Sequence, residues 1–193
     1  MEISDLEFHP LTTERWFDFE KLFGKHGACG GCWCMWWRLS RSEFARLKGE
    51  GNRKALKEIV DSAQIPGILA YVNENPVGWC SVARRESFPA LERSRVLKKI
   101  DDKPVWSIVC FYVAKQFRHK GLTIALSKAA ISYTRRQGGK ILEGYPVESK
   151  TGRTLDPFAY TGLASSFRKA GFVEVARRSN ARPIVRYAID RDT

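Results

Sequence analysis

The chain has 193 residues, of which 33 are basic and 21 acidic, so its formal net charge is +12. This length can bury a sizeable core and no Ser/Gly/Pro-rich linker divides the chain, so we expect a single domain over residues 1–193. No apolar run approaches the roughly 18 residues that cross a bilayer, and residues 1–5 lack the apolar stretch of a signal peptide. A cytoplasmic protein without a membrane partner is therefore the default expectation.

Hydrophobic periodicity and turn residues predict strands and helices along the whole chain. In chain order these are a strand at 3–10, helices at 13–23, 42–47 and 53–60, strands at 67–72, 76–82 and 105–113, a helix at 121–136, a strand at 140–145, a helix at 161–170, and strands at 172–176 and 183–189. Residues 73–75, Asn-Glu-Asn, are typical of a hairpin turn. A basic connection occupies residues 84–103.

The most informative unit is the strand at 105–113 with the turn and helix that follow it. The strand is almost continuously apolar, as expected of a central strand covered on both faces. The helix carries one apolar stripe, at Leu122, Ala125, Leu126, Ala129 and Tyr133. Its first backbone N–H groups have no partners within the helix, and Gly121 lacks a side chain that would keep a ligand from them. With Arg118 and Lys120 nearby, this turn is suited to a phosphate group.

The segment V-A-K-Q-F-R-H-K-G-L-T resembles the acyl-CoA-binding signature of the GNAT acetyltransferases, in which a strand ending in Val precedes Arg/Gln-x-x-Gly-x-Gly/Ala and a helix. Arg118 and Gly121 match this signature, whereas Thr123 stands where the family has a small residue. The resemblance implies that acetyl-CoA is the cofactor and co-substrate. Its diphosphate is then expected at Arg118, His119, Lys120, Gly121, Leu122 and Thr123.

The order of the predicted elements is similar to the GNAT fold over essentially the whole chain. The resemblance implies an α/β (α+β) fold, with a mixed, mostly antiparallel central sheet of about seven strands flanked by helices. It also implies a splay between the fourth and fifth strands, here 105–113 and 140–145. In the family the pantetheine arm enters this gap and pairs with the fourth strand, so Phe111 and Val113 are the candidates for that backbone pairing.

The resemblance further implies an N-acetyltransferase, in which an amine of a small molecule or peptide attacks the thioester directly in a ternary complex. Many relatives protonate the departing thiolate with a tyrosine in a Tyr-x-x-x-Gly-Phe pattern, but the equivalent Phe167 cannot donate a proton. Some place a glutamate base where this chain has Ser107. Glu143 is the nearest acidic candidate, with ion pairing to an arginine as its alternative role. Tyr160 and Tyr145 are candidate proton donors or packed aromatics.

A second distinctive segment places His26, Cys29, Cys32 and Cys34 within nine residues. Four such ligands are enough for zinc, but structural zinc sites usually draw two ligand pairs from separated segments, so we expect no metal. A nucleophilic Cys32 or Cys34 with His26 would lack an orienting partner. Reduced thiols are expected, since five cysteines cannot all pair and the chain has no export signal.

The same segment carries three tryptophans in the region where the family places a loop over the acceptor site. Trp33, Trp36 and Trp37 are therefore candidates for a flat aromatic wall that binds an apolar or cationic substrate. Clustered aromatics are more commonly core residues, and that alternative stays open. The acceptor has no recognised signature in residues 24–37 or 150–160.

The basic residues are dispersed along the chain, so a generally basic surface is the simplest interpretation. A nucleic-acid-binding module with exposed tryptophans is an alternative from another class, although we consider nucleic acid the less favoured partner. A CoA-binding sensor without catalysis is a third, because the usual acid is missing. A homodimer is a further expectation that the sequence does not test.

Overall fold

The computed structural model describes residues 5–148 and 160–189. Its strands are β1 (Leu6–Pro10), β2 (Ile68–Val72), β3 (Asn75–Arg84), β4 (Trp106–Val113), β5 (Ile141–Gly144), β6 (Val173–Arg177) and β7 (Pro183–Ala188). Its helices are α1 (Trp16–Phe23), α2 (Arg41–Leu47), α3 (Glu50–Asp61), α4 (Pro89–Glu92), α5 (Leu122–Arg136) and α6 (Ala164–Lys169). Within these described ranges no helix is both long and apolar enough to span a membrane.

All seven strands form one sheet in the order β1-β2-β3-β4-β5-β7-β6. Every neighbouring pair is antiparallel except β4 and β5, which run parallel. This mixed, mostly antiparallel sheet flanked by helices confirms the fold class inferred from the sequence.

The β4 strand contains a β-bulge near its middle. Ser81 pairs with Cys110 and Val82 pairs with Ile108, so Val109 is an extra residue that has no partner on β3. A bulge bends its strand and increases the local twist. Pairing between β4 and β5 ends at Ile108 and Gly144, although β4 continues to Val113. The two strands therefore separate just where β4 is bulged.

Helix α5 covers one face of the sheet, with Leu122, Leu126 and Tyr133 buried in the main core cluster as the apolar stripe predicts. Helices α1 and α3 cover the other face. The residues expected to point inward from α1, namely Trp16, Phe19, Leu22 and Phe23, are all buried there. The apolar faces predicted for α5 and α1 are thus both buried against the sheet.

The observed boundaries differ from the predicted ones at several element ends. Residues 13–15 form a 3₁₀ turn before α1, and α6 begins at Ala164, three residues later than expected. The short helix α4 in the basic connection was not predicted. It begins at Pro89, because proline is favoured in the first turn, where its missing N–H costs no hydrogen bond. Residues 3 and 4, the predicted start of the first strand, lie outside the described residues.

Candidate active site

The gap between β4 and β5 is the centre of the candidate site. Beyond Ile108 the free edge of β4 faces this gap, and the backbone N–H of Phe111 donates a hydrogen bond across it to the carbonyl oxygen of Tyr160, at 2.6 Å. The Phe111 N–H was singled out for backbone pairing with the pantetheine arm. In this structure it is engaged by the chain itself.

The turn after β4 leads into the N-terminus of α5. A 3₁₀ turn over Lys115–Phe117 turns the chain, and Gly121 then adopts a φ of +82° as the N-cap of α5. A Cβ added at Gly121 would meet nothing within 4 Å, so the space beside the first helical N–H groups is open. No side chain caps α5 in the described part of the chain. The arrangement fits the diphosphate of acetyl-CoA, because a helix N-terminus with uncapped N–H groups attracts an anion.

The basic side chains of this turn differ in their contacts and their exposure. Arg118 Nε donates to the carbonyl oxygen of Val113 at 3.2 Å, which braces the turn against the end of β4. His119 and Lys120 are exposed, and His119 adopts a φ of +61°. Thr123 lies within the first turn of α5, where its carbonyl oxygen accepts a hydrogen bond from Ser127 Oγ at 2.8 Å. The turn is thus a positively charged surface held in place by backbone contacts.

Glu143 lies at the bottom of a polar cleft of about 490 Å³. Its side chain is 1% exposed. Oε1 accepts from Arg85 Nη1 at 3.0 Å, and Oε2 accepts from Arg186 Nε at 2.6 Å. Both carboxylate oxygens are therefore held by largely buried guanidinium groups. The geometry favours the ion-paired role for Glu143.

Tyr145 links Glu143 to Ser107, the position where some relatives carry a glutamate. Tyr145 Oη donates to Glu143 Oε1 at 2.6 Å, and Ser107 Oγ lies 2.8 Å from Tyr145 Oη. Since the tyrosine proton is directed at the carboxylate, Ser107 is the donor in its bond with Tyr145. Burial raises the pKa of Tyr145 well above its usual value, so its hydroxyl stays protonated. The chain of hydrogen bonds therefore runs from Ser107 through Tyr145 to Glu143.

Phe167, at the position of the family tyrosine, and the candidate proton donor Tyr160 occupy different places. Phe167 is fully buried, and its ring would lie 2.3 Å from a Cβ built on Gly144. It fills the space where β5 ends. The carbonyl oxygen of Tyr160 lies at the gap, and Tyr160 packs against a core cluster. Burial raises the pKa of the Tyr160 hydroxyl, so the hydroxyl remains protonated and able to donate.

The three tryptophans considered for acceptor binding separate into core and surface residues. Trp33 and Trp37 are buried. Gly27, with a φ of +58°, packs so closely over the Trp33 indole that a Cβ there would lie 2.3 Å from Nε1. Trp36 is 39% exposed and packs edge to face against Phe44. Trp36 is thus the tryptophan of this set that presents an exposed face.

The cysteines of the same segment do not converge on one point. Cys29 is exposed, Cys32 is half-buried and Cys34 is buried. Among the residues that the structure describes, no group of three or more His, Cys, Asp or Glu side chains is arranged to hold a metal ion. Most of the segment 150–160, considered as an acceptor loop, lies outside the described residues.

Sequence reasoning did not identify Arg85 and Arg186 as residues of this region. Arg85 lies in a basic connection and Arg186 on the last strand, and both are largely buried. The one signal in the sequence is an arginine inside an apolar strand, Ile184-Val185-Arg186-Tyr187. Such a residue is expected to have a buried partner, but the pattern does not reveal which one.

A mixed sheet that opens between two parallel strands, beside a basic turn at an uncapped helix N-terminus, is the architecture expected of an acyl-CoA-dependent transferase. The family model described as "Acetyltransferase (GNAT) family" matches residues 33–147, more than half of the chain. The chain belongs to this family and is an acetyltransferase that uses acetyl-CoA as its acyl donor. No curated protein sequence matches it.

Solved structures of low sequence identity share the fold. A GNAT-family acetyltransferase from Listeria monocytogenes 4b F2365 aligns with a TM-score of 0.60 at 8% identity, covering 95% of this chain and 94% of the other. The PaiA N-acetyltransferase from Thermoplasma acidophilum, in complex with coenzyme A, gives 0.53 at 16% identity, covering 95% and 99%. The ribosomal-protein-S18-alanine N-acetyltransferase from Escherichia coli gives 0.50 at 13%, covering 98% and 97%. At these identities the likeness concerns the fold alone.

Proposed function

We propose that the protein is an N-acetyltransferase that transfers an acetyl group from acetyl-CoA to the amine of a small molecule or peptide. The observation that carries this proposal is the separation of β4 from β5 beside the open turn at Gly121. When bound, acetyl-CoA supplies an activated thioester, which the amine attacks directly while both are held by the protein. Holding two reactants in line can lower the barrier by roughly 7–11 kcal/mol.

The turn and the exposed edge of β4 are the proposed donor site. Main-chain N–H groups of Gly121, Leu122 and Thr123 would bind the diphosphate, with Lys120 and His119 adding charge at the entrance. The N–H of Phe111 would bind the donor inside the gap once its bond to Tyr160 is released. A backbone N–H in this position can also stabilise negative charge that develops on a carbonyl oxygen.

Tyr160 is the proposed proton donor to the departing thiolate. Its carbonyl oxygen lies at the gap and its hydroxyl is kept protonated by burial. Phe167 cannot serve in this role, and Glu143 is committed to two arginines. Because β4 carries no carboxylate, we propose that the amine loses its proton to water at the acceptor face. Trp36 is the proposed contact for the acceptor.

The proposal is tested by incubating the protein with radiolabelled acetyl-CoA and a panel of amines: polyamines, aminoglycosides, free amino acids and peptides with a free N-terminus. Labelled N-acetyl product with an intersecting initial-rate pattern supports direct transfer. Acetyl-CoA binding with no product from any amine would indicate that the protein is a non-catalytic CoA-binding sensor. A parallel-line pattern would contradict direct attack.

A further inference from the structure

Two cysteines, Cys34 on the tryptophan-rich loop (residues 24–40) and Cys110 on β4, pack in the same core cluster. Cys34 is 3% exposed, and its sulfur accepts a hydrogen bond from Trp79 Nε1 at 3.2 Å. The register of β3 and β4 places Ser81 opposite Cys110 and Trp79 opposite Tyr112, so all four side chains share one face of the sheet. Cys110 packs against the same core cluster as Cys34. The loop thus places the Cys34 thiol against the face of the sheet on which Cys110 lies.

The loop holds Cys34 in an unusual backbone conformation. Cys34 has a φ of +60° and its neighbour Trp33 a φ of +44°. The left-handed region is unfavourable for a residue with a side chain, and such strain tends to persist where the surrounding structure over-determines it. Here the buried Trp33 indole and the Trp79 contact fix the segment. The loop therefore positions the Cys34 sulfur against β4 in spite of a conformational cost.

The two thiols have unequal acidities. The pKa of Cys34 is lowered to about 7, chiefly because Cys110 hydrogen-bonds to its sulfur, with help from Trp79 and Ser81 against the effect of burial. The same bond and burial raise the pKa of Cys110 well above its usual value. Cys34 is therefore the more acidic thiol of the pair, and Cys110 is the neighbouring thiol that would resolve its oxidised form.

The other three cysteines lack these features. Cys80 belongs to the core cluster on the α5 side of the sheet, and burial raises the pKa of its thiol well above the usual value. Burial raises the pKa of Cys32 to about 11. Cys29 is exposed on the surface of the loop. Each of these three provides a comparison for the pair.

We propose that Cys34 and Cys110 form a peroxide-sensitive disulfide site that joins the loop to β4. The Cys34 thiolate attacks a peroxide oxygen, giving a sulfenic acid and releasing hydroxide as the O–O bond breaks. The Cys110 sulfur then displaces the hydroxyl group of the sulfenic acid, its thiol proton leaves with that group as water, and the S–S bond forms. The peroxide gains two electrons and the two sulfurs together lose two. Cys110 is only partly buried, so the pair is not sealed from solvent on the β4 side.

The disulfide would act on the active site through β4. Cys110 immediately precedes Phe111, whose N–H faces the gap, and it follows the bulged Val109. Joining Cys110 to the loop would restrain the part of β4 that must accept the donor, so oxidation is expected to lower acetyl transfer. This consequence rests on the proposed function, whereas formation of the disulfide does not.

The test is peroxide treatment of the full chain followed by non-reducing peptide mapping. A cross-link between the Cys34 and Cys110 peptides, with a mass loss of two hydrogen atoms that a reducing agent reverses, is the expected result. It should disappear in Cys34→Ser and in Cys110→Ser and persist in Cys29→Ser. Serine changes little in volume, and Cys110→Ser provides an independent check if Cys34→Ser folds poorly.

Acetyl transfer is measured on the same samples with an amine that the untreated protein acetylates. We expect at least a tenfold reversible loss in the wild type and in Cys29→Ser, and no such loss in Cys110→Ser. Oxidation that stops at Cys34 without a cross-link would overturn the proposed disulfide, and a cross-link that leaves transfer unchanged would overturn its effect on the active site. If no amine is acetylated before treatment, the proposed function fails, and the mapping still decides whether the disulfide forms.

Discussion

The backbone N–H of Phe111 donates to the carbonyl oxygen of Tyr160 at 2.6 Å, across the gap where β4 and β5 separate. This bond satisfies the backbone N–H of a buried residue. It also brings Tyr160 to the point where the thioester is expected. Donor binding would exchange one hydrogen bond of Phe111 for another, so the cost of opening the gap is partly offset.

The position of Tyr160 leads to a prediction about proton transfer. Tyr160→Phe keeps the carbonyl oxygen and the ring but removes the hydroxyl, so we expect kcat to fall roughly 10²-fold with little change in the KM for acetyl-CoA. Steady-state kinetics at saturating amine would measure this. The control is Tyr133→Phe, which removes the hydroxyl of a buried tyrosine on α5. Equal rates in the wild type and Tyr160→Phe would show that another group, or water, protonates the thiolate.

The turn before α5 leads to a second prediction, for which the chain offers a matched control. Gly121 and Gly138 both have a positive φ, of +82° and +73°, and neither has an atom within 4 Å of an added Cβ. They lie at opposite ends of α5. Replacing either by leucine should cost about 1–2 kcal/mol of unfolding free energy from backbone strain. Only Gly121→Leu should also weaken CoA binding, by tenfold or more, because its side chain would stand between the helix N–H groups and the diphosphate.

Calorimetric titration of CoA and urea denaturation of both variants provide the two readouts. Equal CoA affinity in Gly121→Leu and Gly138→Leu would show that the diphosphate does not bind at this turn. A loss of affinity in both variants would show that the effect comes from the stability of α5.

Trp36 gives a prediction about the acceptor. Trp36→Ala removes an indole that is 39% exposed, so we expect a several-fold rise in the KM for the amine and little change in stability. Phe17 is 74% exposed on α1, and Phe17→Ala is the comparison. Initial rates at varied amine concentration separate the two variants. A similar KM for the amine in both would mean that the acceptor does not contact Trp36.

Glu143 gives a prediction about stability. Glu143→Gln removes the buried charge that Arg85 and Arg186 share, although each keeps one other carboxylate partner, so we expect a loss of up to about 3 kcal/mol of unfolding free energy. The control is Glu148→Gln, since Glu148 also lies between two arginines, Arg168 and Arg177, but at the surface. That substitution should cost less than about 1 kcal/mol.

Urea denaturation measures the unfolding free energy of both glutamate variants. Acetyl-transfer activity per folded molecule is measured on the same samples. A fully stable Glu143→Gln that has lost its activity would reverse our interpretation and make Glu143 the general base.

Much of the fold could be predicted from the sequence because local patterns encode it. The stripe from Leu122 to Tyr133 and the turn at Asn73-Glu74-Asn75 each depend on neighbouring residues. The bulge at Val109 could not be predicted, since β4 is apolar on both faces and has no alternation that an extra residue would interrupt. For the same reason the strand did not show where its pairing with β5 would end.

The candidate site was less predictable because its contacts join distant segments. The turn around Gly121 is continuous in sequence and therefore visible. The ion pairs of Glu143 join three separate parts of the chain, around Arg85, β5 and Arg186. Which of many arginines would meet this carboxylate depends on the order of the strands, and no local pattern specifies it. The burial of Trp33 and Trp37 likewise depends on how the loop folds back onto the sheet.

The most direct test of the donor site is amide hydrogen–deuterium exchange with and without CoA. We expect slower exchange on CoA binding in peptides that cover residues 114–124, and a smaller change at Phe111, because its N–H is already bonded in the free protein. Protection confined to the polar cleft around Arg85 and Glu143, or no protection at all under conditions where calorimetry shows binding, would contradict the account.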